Sequence, residues 1–309
     1  MLFCRLSFRV HVAALCASAC LLVGATTRCL ADDTPDSTLT KMHHTGRITI
    51  GVRDAAKPTL YRDGNGEPAG YYWEICKRLV DAIKLRFDLP RLKVVTVSAT
   101  LATRFALLTN GTTDIDCGPN ALTGSGMRQA LFTHAALLTE TRVMTTEENK
   151  AMALAQYDGK IIGVVAGDTS TALLRAYLRQ SRVKVIEAYG RHVGEVFSML
   201  EAGRVDAILA SAPDLVSARL GSANPSRYVL LDDKLNVQPI AMMMRLTDEK
   251  LLSFVNEVLA TMMRTGEMGR LYDRWFVQPL PGMSVSLDMP APSALLDMFK
   301  NPGSEMARF

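Results

Sequence analysis

Residues 110–133 read NGTTDIDCGPNALTGSGMRQALFT, and the way this stretch is parsed decides the fold. Asn110-Gly111 is a turn pair, Thr113 to Cys117 alternates with β-branched residues as a short buried strand does, and Gly118-Pro119-Asn120 is expected to stop that strand. A polar, glycine-rich loop therefore leaves the carboxyl end of a strand. In open α/β sheets ligands settle in the crevice outside those ends, so the loop is a candidate wall of a ligand cleft.

Strand and helix patterns alternate on either side of it. Upstream, RITIGV at residues 47–52 alternates as a strand and delivers Arg53 to its C-terminal end, residues 73–87 place most apolar positions on one helical face, residues 92–97 form the next strand, and residues 101–108 form a short helix carrying Arg104. Downstream, residues 137–145 read as a strand placed to carry the chain out of a first domain. The strand at residues 161–165 runs into Ala166-Gly167-Asp168-Thr169-Ser170-Thr171 and a helix over residues 172–180. Free N–H groups at a helix start plus Thr and Ser hydroxyls make an anion cradle, against which the Asp168 carboxylate acts unless it caps the helix. Further strands are expected at 183–187, 205–210, 228–231 and 240–244, with helices at 193–202, up to about 220, and at 251–265. Residues 283–309 lack clear periodicity and are expected as a C-terminal tail. The alternation gives an α/β architecture with mostly parallel sheets.

The beginning of the chain sets the compartment. Arg5 and Arg9 precede an apolar run from Val10 to Gly24, and Cys29-Leu30-Ala31 offers a small-residue cleavage site, so residues 1–31 read as a signal peptide and the mature protein as exported. Lipid attachment after Ala17-Ser18-Ala19 and retention as an anchor are the other fates of this segment. Cleavage removes three arginines and takes the formal charge from +4 to +1; with no basic run elsewhere, no nucleic-acid partner is expected. It also leaves only Cys76 and Cys117, which are open to pairing in an oxidising compartment or to remaining buried thiols. With no CxxC and no clustered His and Cys, neither a metal nor any other cofactor is expected. The remaining 278 residues suffice for two domains, and no second run of about 20 apolar residues follows.

Four pieces carry a family resemblance: Leu107-Leu108-Thr109-Asn110-Gly111-Thr112-Thr113-Asp114 with Cys117-Gly118; Gly159-Lys160 followed by Gly167-Asp168-Thr169-Ser170; Leu200-Glu201-Ala202-Gly203-Arg204; and Gly266-Glu267 followed by Tyr272-Asp273-Arg274-Trp275-Phe276. In this order the chain resembles the family 3 solute-binding proteins of polar amino-acid ABC transporters, with the glutamate/aspartate-binding branch the nearest in pattern. The resemblance implies a type II periplasmic binding fold, a monomer of two lobes joined by two hinge strands. Lobe 1 would take residues 42–141 plus 240–282 and lobe 2 residues 142–239. It implies closure over a small-molecule ligand and docking to a permease in the inner membrane.

It also implies a site. Arg53 and Arg104 stand where this branch places arginines, whose forked guanidinium groups suit carboxylates. Thr169 and Ser170 stand in the second lobe's anion-binding turn, and Asn120 and Ala121 in the loop after Cys-Gly. Other positions depart from the family. Pro119, Ala121 and Gly126 occupy the places of the hydroxyls and the arginine that read the α-carboxylate, with Arg128 nearby as a substitute. Ser211 or Ala212 replaces the acid that holds the α-ammonium; the branch's histidine position falls at Val193, beside His192; and the cysteine that would pair with Cys117 falls at Met242. The reading is a binding component for a small polar, anionic solute, an amino acid or a carboxylate lacking the α-amino group. The alternative is a non-transport sensor or accessory module. A dehydratase of this fold is the third reading, but Glu140, Glu195 and Glu201 sit in no recognisable catalytic constellation, and no catalytic residue is assigned.

Overall fold

Two long strands, Leu137–Thr146 and Tyr228–Met244, run antiparallel through the middle of a nine-stranded sheet and hold its two halves together. The computed structural model describes residues 37–150, 152–282 and 284–308; the expected signal peptide at 1–31 lies outside the described residues. On one side of the central pair, Arg47–Val52 lies parallel to both Lys93–Ser98 and Ile115–Ala121, and the last of these pairs antiparallel with Tyr228–Met244. On the other side, Ile161–Val165 lies parallel to Ile186–Gly190 and Ala207–Ser211, and the last of these pairs antiparallel with Leu137–Thr146. The parallel groups are as expected of α/β alternation. The centre is not, because the crossing strands must run both ways to carry the chain out and back.

Three of the expected boundaries change. The strand that begins at Ile115 passes through Gly118-Pro119 and ends at Ala121. Its register against Tyr228–Met244 shifts between Ala241 and Met243, and such an irregularity accommodates a proline, which has no N–H to donate. The segments expected as two strands at 228–231 and 240–244 form one of 17 residues, with register shifts near Lys234 absorbing the polar break around Asp232-Asp233. Residues 283–309 are not a free tail over their described part. Ser293–Lys300 is a helix whose Leu295, Met298 and Phe299 are buried in the core of the first half, and Ala135 N donates to Glu305 Oε1 at 2.7 Å. Leu295, Leu296, Met298 and Phe299 span little more than one turn between prolines, too short a pattern to read as a helix.

The apolar cores follow the same division. One collects Ile48, Ile50, Ile75, Leu79, Ile115, Met243 and Val255 around the first parallel group. The faces of the second group are covered by Val196, Phe197, Leu200 and Leu215 on one side and by Leu154, Leu174 and Leu178 on the other. Helix Tyr71–Arg86 ties the first core to the crossing strands: Tyr71 Oη donates to Ala136 O at 2.7 Å and Tyr72 Oη to Ile240 O at 2.8 Å, both phenols being fully buried. The same helix is linked to the Ile115–Ala121 strand by a disulfide between Cys76 and Cys117, which resolves the alternative left open for these residues. Among the described residues no helix is long and apolar enough to cross a membrane.

Candidate functional site

The carboxyl ends of both parallel groups face one cavity of about 320 Å³. Arg53, Ala99 and Ala121 reach it from the first group, Asp168, His192, Ser211 and Asp214 from the second, and Thr139, Thr141 and Gln238 from the crossing strands.

Arg53 follows directly on its strand and is 5% exposed, yet its guanidinium is already engaged. Nη1 donates to Asp116 Oδ2 and to Ala99 O, both at 3.0 Å, while Nη2 donates to Asp116 Oδ1 at 3.2 Å and to Asn120 Oδ1 at 2.7 Å. Asp116 is fully buried and also accepts from Gly118 N and Asn120 Nδ2, each at 2.9 Å. A Cβ on Gly118 would lie 2.5 Å from Arg53 Cζ, so glycine after Cys117 is what lets the guanidinium lie flat on the strand. Asn120 is therefore a bracket for this ion pair behind the cavity wall. Of the donors on Arg53, Nε alone is buried without a partner.

Arg104 is buried to the same degree but is held loosely. Nη1 makes a 3.3 Å hydrogen bond to Gly167 O, the guanidinium carbon lies 4.7 Å from the Phe105 ring centroid, and Nε is buried without a partner. Burial lowers its pKa to about 10, the positive charge of Arg53 acts in the same direction, and Asp116 and Asp168 act against it. Gly167 is a point where the halves touch. Its φ is +78°, and a Cβ there would come within 2.9 Å of Leu101 O and Ala102 N.

At the expected anion cradle, residues 166–171, the chain itself takes part of the donor set. Asp168 caps helix Thr169–Ser181, with Oδ1 accepting from Ser170 N at 2.7 Å. Thr169 Oγ1 donates to Gln238 Oε1 at 3.1 Å and faces the cavity, whereas Ser170 is buried behind it with an unpartnered Oγ. His192 lines the cavity while capping helix Val193–Glu201, its Nδ1 accepting from Glu195 N at 3.2 Å. Arg128 is exposed and donates to Gly124 O at 3.0 Å, on the surface and away from the cavity. The structure thus gathers Arg53, Arg104, Ala121, Thr169 and His192 around one space, sets Asn120 and Ser170 just behind it, and leaves Arg128 outside.

The residue that sequence reading passed over is Asp214. It stands in the first turn of helix Ala212–Leu220, three residues beyond the strand end where the resemblance implies an acid. Oδ2 accepts from Ser211 Oγ at 2.6 Å, and Oδ1 is buried with no partner. Burial raises its pKa to about 7; the hydrogen bond from Ser211 opposes that rise and the charge of Asp168 adds to it. Ser211-Ala212-Pro213-Asp214 carried the signal, since a proline in the first turn fixes where the helix starts and hence which way the following acid faces. Among the described residues no group of three or more His, Cys, Asp or Glu is arranged to hold a metal ion.

Residues 48–278 match the family of bacterial extracellular solute-binding proteins, family 3. An L-glutamate/L-aspartate-binding protein of Pseudomonas aeruginosa is 29% identical over 271 residues, 87% of this chain and 90% of that protein. Among solved structures, the solute receptor for L-cysteine of Neisseria gonorrhoeae superposes with a TM-score of 0.68 at 23% identity, covering 78% of this chain and 94% of the receptor. An ancestral arginine-binding protein bound to arginine superposes with a TM-score of 0.66 at 21% identity, covering 75% and 98%. At these identities the two structures bear on the fold, which is that of the type II binding proteins.

Proposed function

This chain belongs to family 3 of the bacterial extracellular solute-binding proteins, and on that premise we propose that it is the periplasmic receptor of an amino-acid ABC transporter, closing over a small solute that carries a carboxylate and an ammonium group. The observation that carries this reading is the pairing, around one cavity, of a buried cation without an ionic partner and a buried carboxyl oxygen without a donor. Arg104 supplies the fork for the carboxylate and Asp214 the acceptor for the ammonium. Thr139, Thr141, Thr169 and Gln238 add neutral polar groups between them. The ligand relationships of the relatives support the amino-acid class, since proteins of this fold are described as binding glutamate and aspartate, cysteine, or arginine. They differ among themselves, so an anionic solute is supported only as far as its one carboxylate.

In this reading lobe 1 comprises residues 42–141 plus 240–282, extended by the C-terminal helix, and lobe 2 residues 142–239. The solute bridges them, and a permease in the inner membrane reads the closed monomer. Contact of Leu101 and Ala102 with Gly167 supports closure as the conformation described here. Thermal unfolding against a panel of L-amino acids and organic acids tests the proposal. A solute present at about 1,000 times its Kd adds about 4 kcal/mol and raises Tm by roughly 10 °C. No shift from any member at millimolar concentration would sink the receptor reading.

A further inference from the structure

The charges that line the cavity do not balance, and the imbalance bears on which amino acid fits. Arg53 is neutralised in place by Asp116, which meets it with both oxygens and is itself fully buried. Asp54, at the rim, is paired with Arg62 at 2.8 Å, and Arg191 with Glu195 at 3.1 Å. Among the described lining residues this leaves Arg104 as a cation with no carboxylate paired to it, facing two acids, Asp168 and Asp214. Asp168 is partly satisfied by the helix N-terminus it caps; Asp214 has only the Ser211 hydroxyl on one oxygen. One carboxylate on the solute uses Arg104. A second would have to be buried without a free cation and beside two like charges, which costs more than any hydrogen bond it gains. Arg53 does not answer it, because turning the guanidinium toward a solute would leave Asp116 buried and unpaired.

We infer that the solute is an amino acid whose side chain is uncharged or cationic, and that Asp116, by holding Arg53, is the residue that excludes acidic side chains. This rests on the amino-acid reading above and narrows it. It also separates this chain from the glutamate- and aspartate-binding relative.

Isosteric pairs test it on the unaltered protein by titration calorimetry: glutamine against glutamate and asparagine against aspartate, with arginine, lysine, histidine, serine and alanine alongside. Each pair differs by one charge at constant shape. The expected result is an affinity for the neutral or cationic members at least about 100-fold above that for glutamate and aspartate. Glutamate or aspartate binding as tightly as its amide overturns the inference and leaves the receptor reading standing; absence of binding by every amino acid overturns both. Asp116→Asn, with its fold verified by circular dichroism, frees Arg53 from its counter-charge. The glutamate-to-glutamine affinity ratio then rises by about tenfold or more, and an unchanged ratio in the folded variant overturns the role given to Asp116.

Discussion

Replacing Asp214 by Asn should flatten a pH dependence of stability that the empty protein owes to this one group. The carboxyl pKa rises from 3.8 to about 7, chiefly through burial, so between those values the native state holds a proton that the unfolded chain has lost. The sign follows: stability is greatest below the lower value and falls as pH climbs toward 7, after which the loss is complete. At about 1.36 kcal/mol for each tenfold change in proton affinity the full loss is about 4 kcal/mol, of which about 2.7 kcal/mol falls between pH 5 and pH 8. Guanidinium unfolding of the wild type and Asp214→Asn at those two pH values measures it. Groups away from Asp214 are present in both proteins and cancel in the difference. The stability of the wild type relative to the variant should drop by about 2 to 3 kcal/mol from pH 5 to pH 8. Solute affinity should move the opposite way, tightening as pH rises through 7, because an ammonium needs the ionised carboxylate. A difference that is flat within about 0.5 kcal/mol would refute the assignment of Asp214 as a buried, uncompensated acid.

Arg104→Gln removes the fork but keeps a donor, and solute affinity measured by calorimetry should fall about 100-fold, in line with the loss of charge-assisted hydrogen bonds of about 1.5 to 3 kcal/mol each. Gly167→Val places a branched side chain where a Cβ already lies 2.9 Å from Leu101 O, so small-angle X-ray scattering with saturating solute should show a radius of gyration that stays at the open value, whereas the wild type contracts. Changing both Cys76 and Cys117 to Ser opens a loop spanning 41 residues and should cost about 4 kcal/mol by chain entropy, read as a lower guanidinium midpoint with the solute specificity retained.

What the sequence disclosed followed from periodicity and strand ends. Arg53 stands one residue past an alternating strand, and its delivery to the cleft is a matter of counting; the same holds for Thr169 at a helix start, whereas Ala121 came from the resemblance. Contacts formed between distant segments were not legible. Gly118-Pro119 looks like a stop, and becomes a strand irregularity only because Tyr228–Met244 pairs across it. Asp116 reads as one more strand residue until Arg53, 63 positions earlier, folds over it. Asp214 reads as an acid favoured in a helix's first turn, and that local explanation hides its place on the cavity wall. Met242 illustrates the converse: the resemblance placed a cysteine partner there, while this chain instead links Cys117 to Cys76 on a neighbouring helix.

The two arginines show why position alone does not assign a ligand group. Both are buried to a similar degree, but Nη1 and Nη2 of Arg53 already meet acceptors on Asp116, Ala99 and Asn120, and only Nε is left without one. Arg104 has one long hydrogen bond, to Gly167 O in the other half, and burial holds its pKa down at about 10. If the proposed closure brings that contact about, closing the empty protein would take Arg104 out of water with little in return. A carboxylate beside it supplies the missing compensation and converts an unfavourable burial into charge-assisted hydrogen bonds. The same holds across the cavity for Asp214 and an ammonium group. In the proposed receptor, closure and binding would thereby be coupled through two groups of opposite sign, Arg104 and Asp214, and a solute that carries both complements would satisfy them together.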